Sequence, residues 1–247
     1  MNKYGLIGFP LTHSFSKKFF TEKFKRESIS AAYENFEIEK ISRLTEIVEA
    51  ETDLAGLNVT IPYKEQVIPF LDELDRAAEK VGAVNTIKII RKAQKIHLKG
   101  FNTDTWGFEI SLKPLLREYH TKALILGTGG ASKAIKFVLD KLNIEYISAS
   151  IEELKNREIR YEDIDKKMMS DRLLVINATP LGTYPKTDTF PPIPYEYISD
   201  EHLLFDLVYN PEMTEFLKKG RERGAIVKNG LEMLQQQALK SYEIWIS

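Results

Sequence analysis

Cysteine is absent from the 247 residues. That absence excludes disulfide bonds, thiol nucleophiles and thiolate metal centres, and it agrees with a reducing compartment. An excess of charge of either sign is also missing: 35 Lys and Arg against 36 Asp and Glu leave a formal net charge of -1. No global field then draws in nucleic acid or an anionic membrane, so any anionic ligand must be gripped locally. The four histidines, at 13, 97, 120 and 202, are too scattered to suggest a zinc site. Long apolar runs are missing as well. Met1 to Gly8 enters a strand pattern directly, without the apolar core of a signal peptide or the length of a membrane span. Internal repeats and low-complexity tracts are not found. These absences predict a cytoplasmic protein with no metal and no nucleic-acid or membrane partner; a monomer and a homodimer are both compatible with them.

What is present is a sizeable core. A hydrophobic fraction of 43% beside a charged fraction of 29% is that of an ordinary globular protein, and the length suits two domains. Tyr4 to Gly8, Ala32 to Ile38 and Leu54 to Val59 read as strands. Phe19 to Glu27 and Ile41 to Ala50 read as helices, with Ser16 placed to cap the first. Strand, helix, strand, helix, strand predicts a mostly parallel sheet. The first half is organised around Gly56 to Glu65. Pro62 cannot continue a central strand, so the chain turns at Thr60 to Tyr63 and displays Asn58, Thr60 and Lys64 from one strand terminus. An amide, a hydroxyl and an ammonium there suit a small polyhydroxylated ligand, and the lysine can move a proton. A solvated lysine after an edge strand is the plainer reading of the same residues. Phe70 to Val81 predicts a helix closed by Gly82, and 83–90 with 95–101 predicts an antiparallel hairpin.

Beyond residue 101 the pattern changes. Asn102 to Leu116 predicts a helix bent at Pro114, with Asp104 either its cap or a site residue. Ala123 to Leu126 is a buried-strand run leading into Gly127-Thr128-Gly129-Gly130-Ala131-Ser132 and then a helix over 134–142. A glycine turn between a strand and a helix N-terminus lets backbone N–H groups approach a pyrophosphate where the helix dipole favours negative charge. Ser132 stands where a third glycine is usual, a position that serves helix packing. Ile144 to Ile147 is the next strand. The charged stretch from Glu152 to Arg172 reads as peripheral, with no chemistry of its own. Leu173 to Asn177 is a buried strand ending in Ala178-Thr179-Pro180-Leu181-Gly182, at the sheet edge where open α/β folds bind ligands. A proline-rich loop over 184–195, a strand from Leu203, a helix over 212–219, a strand over 225–227 and a final helix from Leu231 complete the chain.

The motifs, read together, are Gly8-Phe9-Pro10 with His13-Ser14-Phe15-Ser16, Asn58-Val59-Thr60-Ile61-Pro62-Tyr63-Lys64, Gly82-Ala83-Val84-Asn85-Thr86, Asn102-Thr103-Asp104, the glycine turn at 127–132, Asn177 to Gly182, Asp206-Leu207-Val208-Tyr209-Asn210-Pro211 and Gly230 to Gln237. In this order they resemble the shikimate dehydrogenase family, nearly end to end. The resemblance implies an α/β fold: an N-terminal substrate domain over 1–101 with a mostly parallel sheet, a Rossmann-like NAD(P)-binding domain over 102–229, and a C-terminal helix over 230–247 packing back on the first. The active site is then expected in the interdomain cleft. It further implies reversible reduction of 3-dehydroshikimate to shikimate with NADPH, in aromatic amino-acid (chorismate) biosynthesis. Ser14, Ser16 and Tyr209 would hold the substrate carboxylate. Thr60, Asn85 and Gln237 would contact its hydroxyls, with Asn58 beside them, and Lys64 and Asp104 would form the catalytic pair. Gly127, Thr128, Gly129, Gly130, Ala131, Ser132, Ser148, Ala178, Thr179, Leu207 and Gly230 would meet the cofactor.

The chain departs from the family pattern in two places. Lys17, Phe20 and Thr21 stand where the family usually has proline and His-Asn. After the second strand of the nucleotide domain, Ser148-Ala149-Ser150 stands where NADP-using members place an arginine for the 2′-phosphate. Neither that arginine nor the carboxylate of an NAD-specific strand end is there. NADPH use with weak discrimination against NADH is therefore expected, and NAD use stays open. Quinate as the preferred substrate, and a non-catalytic dinucleotide sensor on the same fold, are the competing functions; Lys64 and Asp104 argue against the sensor. Burial lowers a lysine pKa while a nearby carboxylate raises it. Either Lys64 or a bound water would pass the proton to the reacting oxygen.

Overall fold

The computed structural model describes residues 1–11, 15–92 and 95–247. The chain divides into two compact units, Met1–Thr103 with Ala238–Ser247, and Asp104–Gln237. The first opens with β1 (Asn2–Gly8), α1 (Phe15–Arg26), β2 (Ala31–Glu37), α2 (Arg43–Ala50) and β3 (Leu54–Val59). It continues through α3 (Tyr63–Gln66), a 3-10 turn (Ile68–Phe70), β4 (Glu73–Leu74), α4 (Arg76–Val81), β5 (Thr86–Lys92) and β6 (Lys95–Phe101). The six strands form one sheet in the order β2-β1-β3-β5-β6-β4. β1 pairs parallel with β2 and β3, and β5 and β6 form the expected antiparallel hairpin.

Of the helix expected over 70–81 only Arg76–Val81 forms, as α4, closed by Gly82 as expected. Residues 72–75 instead run beside β6: Asp72 N donates to Leu98 O at 2.9 Å, and Asp75 N to Gly100 O at 2.9 Å. The side chains fix the break, since Asp72 Oδ2 accepts from Leu98 N (2.7 Å) and Asp75 Oδ1 caps α4 at Ala78 N (2.8 Å). An aspartate that satisfies backbone donors locally competes with the helix its neighbours' periodicity suggests. Ser16 likewise is not a cap; it lies one residue inside α1, which begins at Phe15.

Each face of the first sheet has its own core. Ile7, Leu57, Val59 and Ile87 pack with Leu44 and Val48 of α2 and with Tyr63 and Val67. On the other face Tyr4, Leu6 and Tyr33 meet Phe20 and Phe24 of α1, together with Ala238 and Trp245. Trp245 stacks on Tyr4 with ring centroids 4.7 Å apart, and its Nε1 donates to Ile87 O at 3.0 Å. A buried aromatic with its one polar atom satisfied is a strong anchor for the end of the chain.

In the second unit α5 (Thr103–Leu112) leads to β7 (Lys122–Leu126), α6 (Gly130–Lys141), β8 (Glu145–Ala149), β9 (Glu158–Ile159), α7 (Lys166–Asp171) and β10 (Leu174–Asn177). β11 (Leu203–Asp206), α8 (Glu215–Glu222), β12 (Ile226–Lys228) and α9 (Leu231–Ile246) follow. α5 ends before Pro114, which sits in a 3-10 turn, Lys113–Leu115. The stretch read as merely peripheral supplies the edge strand β9 and the short helix α7. All strands are parallel, in the order β12-β11-β10-β7-β8-β9. Numbered within the unit this is the dinucleotide-binding order, with its switch point between β7 and β10. Alternation splits each strand between two cores: Ala123, Ile125, Ile176 and Phe205 face Phe108 of α5 and Ile135 and Val138 of α6, while Leu124, Val175 and Leu204 face Met169, Phe216 and Leu217. The start of α9 counts with this unit because Met233 is buried in the first of those cores.

Candidate functional site

In the first unit, one end of β3 gathers several of the sequence-predicted residues. Thr60 N donates to Ile7 O (2.9 Å), Val59 N to Asn85 O (2.9 Å) and Val84 N to Lys64 O (2.7 Å). These backbone bonds bring Thr60, Lys64 and Asn85 to the same edge of the sheet. α3, which carries the half-buried Lys64, is pinned by Tyr63, whose hydroxyl donates to Ile38 O at 2.6 Å. Asn85 is oriented by its carbonyl: Oδ1 accepts from Thr103 N (2.7 Å) and Oγ1 (3.1 Å) and from Thr86 Oγ1 (3.2 Å). A backbone N–H only donates, so the amide cannot flip.

Asn58, grouped with the ligand residues by its place in the motif, is an interior residue. Its Oδ1 accepts from Tyr33 OH (2.8 Å), and its Nδ2 donates to Asn85 O (3.3 Å), Thr86 Oγ1 (3.3 Å) and Ser241 Oγ (3.0 Å). β3 is buried on both faces, so every side chain along it, polar or not, enters a core. Ser241 completes a hydroxyl cluster with Thr86 (2.7 Å) and Thr103 (3.2 Å). Nothing in the sequence flags this serine, a single small residue on a terminal helix. Ser16 hydrogen-bonds Tyr33, whose hydroxyl pKa burial pushes up. Ser14 lies outside the described residues. Asp104 follows Thr103 in the first turn of α5 and is half-buried; Tyr209 is exposed, and Gln237 is buried with its Nε2 donating to Leu234 O at 3.0 Å. These three belong to the second unit.

The second unit builds its site at the switch point. Gly127 adopts φ +98, a left-handed conformation that favours glycine, and a Cβ there would press to 2.8 Å from Thr179 Cγ2. Gly129 caps α6, and around the Cβ positions of Gly129 and Gly130 nothing lies within 4 Å. An open glycine turn at the positive end of a twelve-residue helix is a cradle for a phosphate group. Exposed Ala131 lies in that first helical turn, while Ser132 is folded inward, its Oγ donating to Gly129 O at 2.7 Å. Thr128 Oγ1 lies 3.3 Å from Ser150 Oγ. Ser148 does not reach this turn: it is 0% exposed, its hydroxyl buried without a hydrogen-bond partner among the described residues. It sits within β8, two residues short of Ser150, so Ser150 is the strand-end hydroxyl.

Beside the glycine turn, Ala178 N donates to Leu126 O (2.9 Å), and Asn177 Oδ1 accepts from Thr179 N (3.0 Å) and Oγ1 (2.6 Å). Leu207 N donates to Asn177 O at 3.0 Å, and Gly230 lies so close to the Leu207 carbonyl that a Cβ would collide with it. Beneath these loops is a group whose role the sequence does not reveal. Asp206, 0% exposed, accepts from Asn177 Nδ2 (2.9 Å), Val208 N (3.0 Å) and Thr214 Oγ1 (2.6 Å). Burial pushes its pKa up to about 6, against the opposing pull of those donors. Among the described residues no group of His, Cys, Asp and Glu has the makings of a metal site, and no helix is long and apolar enough to cross a membrane.

Comparison with known proteins bears on both units. A profile described as the shikimate dehydrogenase substrate binding domain matches residues 6–87. A relative from Methanosphaera stadtmanae named shikimate dehydrogenase (NADP(+)) is 38% identical over 259 residues, 98% of this chain and 90% of its own. One of the same name from Clostridium beijerinckii is 39% identical over 256 residues, 99% of this chain and 92% of its own. Among solved structures, shikimate dehydrogenase 1 from Peptoclostridium difficile superposes with a TM-score of 0.83 at 37% identity, covering 100% of this chain and 92% of the other.

Proposed function

Since the chain belongs to the shikimate dehydrogenase family, we propose that it reduces 3-dehydroshikimate to shikimate with NADPH, reversibly, as a cytoplasmic enzyme of aromatic amino-acid biosynthesis. The observation that carries this reading is the near full-length match to NADP-dependent shikimate dehydrogenases, with Lys64 and Asp104 both intact.

The open glycine turn and the Asn177 to Leu207 loops fit a dinucleotide, and the chemistry a bound NADPH supplies is a hydride for the ketone carbon. The chain's own residues do the rest. Thr60 and Asn85, held side by side at the β3 edge, are suited to hydrogen-bond ring hydroxyls, and the fixed orientation of Asn85 makes it a donor on its Nδ2 side. Lys64 Nζ gives a proton to the ketone oxygen in reduction and takes it back in oxidation, so hydride and proton together complete the alcohol. Asp104 is the second member of the catalytic pair, as in the family pattern. Ser14, Ser16 and Tyr209 receive the substrate carboxylate, and Gln237 a hydroxyl, as in the family pattern. Since Asn58 is committed to the interior, it serves by fixing Asn85 and Ser241 and not by touching substrate.

Initial rates on 3-dehydroshikimate and on 3-dehydroquinate, each with NADPH and with NADH, test the proposal. The expected result is the highest kcat/KM for 3-dehydroshikimate with NADPH. Cofactor binding without turnover of either ketone would leave only a dinucleotide-binding module, and a higher kcat/KM on 3-dehydroquinate would reassign the substrate.

A further inference from the structure

We infer that Arg160 grips the ribose 2′-phosphate of the dinucleotide, from a strand other than the one that ends at the ribose. The inference rests on reading the second unit as the NADPH-binding one. Ser148-Ala149-Ser150 brings no cation to the end of β8. β9 does, by returning alongside it: Ser150 N donates to Ile159 O at 2.9 Å, and the next residue is Arg160. The Arg160 side chain then crosses back, Nη1 donating to Glu152 O at 2.6 Å. Glu152 N in turn donates to Ser150 Oγ (3.1 Å), which lies 3.3 Å from Thr128 Oγ1 in the glycine turn. A short run of contacts thus ties the guanidinium to the segment just past the second strand, where a dinucleotide fold receives the adenosine ribose.

Among the described residues no side-chain carboxylate forms an ion pair with the Arg160 guanidinium, and Asp163 Oδ2 takes only the backbone N–H of Arg160 at 3.0 Å. Two neighbouring cations are engaged elsewhere. Arg157 lies over the Tyr146 ring at 5.2 Å and 3.8 Å from Asp140, and Lys136 faces Glu158 at 3.7 Å. A guanidinium carries five N–H donors in a planar fork; with one on the Glu152 carbonyl, the rest match the oxygens of a phosphate monoester. Lys155, exposed in the same loop, is the competing cation.

Calorimetric titration with ADP and with 2′,5′-ADP tests the assignment without turnover. The wild-type protein is expected to bind 2′,5′-ADP more tightly than ADP. Arg160→Ala should weaken 2′,5′-ADP binding by about 10- to 100-fold, the span for a charged hydrogen-bonded contact, with ADP affinity kept within about twofold. Arg160→Lys, which keeps the charge and loses the fork, should fall between, and it carries the test if the alanine variant does not fold. Unchanged 2′,5′-ADP affinity in Arg160→Ala, the loss appearing in Lys155→Ala instead, or no wild-type preference for 2′,5′-ADP over ADP would each overturn the inference while leaving the dinucleotide site standing. Failure of the wild type to bind either nucleotide would remove the dinucleotide reading itself.

Discussion

Both units bury polar side chains beneath the carboxyl ends of their parallel strands, but of different kinds. The first buries neutral groups, Asn58, Asn85, Thr86, Thr103 and Ser241. The second buries a carboxylate, Asp206, held by Asn177, Val208 and Thr214. A neutral network costs little to assemble, and losing one member leaves one donor or acceptor unpaired. A buried carboxylate must be compensated by every donor around it, and its contribution depends on pH. The difference predicts two kinds of fragility in one chain.

The largest effect on stability is expected at Asp206→Ala, which strands three donors at once in a dry interior. A loss of about 3–5 kcal/mol in denaturant unfolding is expected; a loss under about 1 kcal/mol would mean that water or a shifted loop replaces the carboxylate. Next comes its pH dependence. Folded Asp206 takes up a proton near pH 6, and the unfolded group near 3.8. Its stabilising contribution is therefore complete below pH 3.8 and is lost as pH rises through 6. Two units correspond to about 3 kcal/mol. Wild-type stability relative to Asp206→Asn should fall by up to that amount between pH 4 and 7, and a flat difference would contradict the burial argument.

Ser241→Ala should cost about 1–2 kcal/mol, because Asn58 Nδ2 and Thr86 lose a partner. This loss should not vary with pH, and any slope like that of Asp206 would erase the contrast between the units. The smallest effect concerns His120 and His202, at the amino edge of the second sheet. In each, Nδ1 accepts a backbone N–H, from Arg117 at 2.9 Å and Ser199 at 3.0 Å, and Nε2 faces a carbonyl. Burial lowers both pKa values from 6.5. Their stabilisation is thus present above pH 6.5 and lost below it, opposite in sign to Asp206. Nitrogen NMR should find both rings titrating below pH 6.5, with the proton of the neutral form on Nε2; a ring that titrates above 6.5 would contradict the assignment.

Much of the second unit was legible because its strands are short apolar runs between strong breaks, and the glycine turn marks the change from strand to helix at β7. The hairpin of β5 and β6 was legible from alternation alone. Two failures share a cause. The break of the 70–81 helix is set by Asp72 and Asp75 bonding to a strand more than twenty residues away, and periodicity carries no trace of a distant partner. Asn58 looked like a site residue because a motif gives its neighbours but not the direction of its side chain; in a strand buried on both faces, polarity does not mark an exposed side. Ser148 fails likewise, by two residues along β8. Ser241 and Arg160 could not be singled out, since each acquires its meaning from a pairing that only the fold creates.

The central claim is that the first unit supplies proton chemistry and the second holds the dinucleotide. Its most direct measurement sets kcat for 3-dehydroshikimate reduction by Lys64→Ala beside the Kd of the same variant for NADPH. The account predicts a fall in kcat of about 10²–10⁴, with Kd unchanged within about twofold. Wild-type kcat, or a Kd that worsens as much as kcat falls, would contradict it.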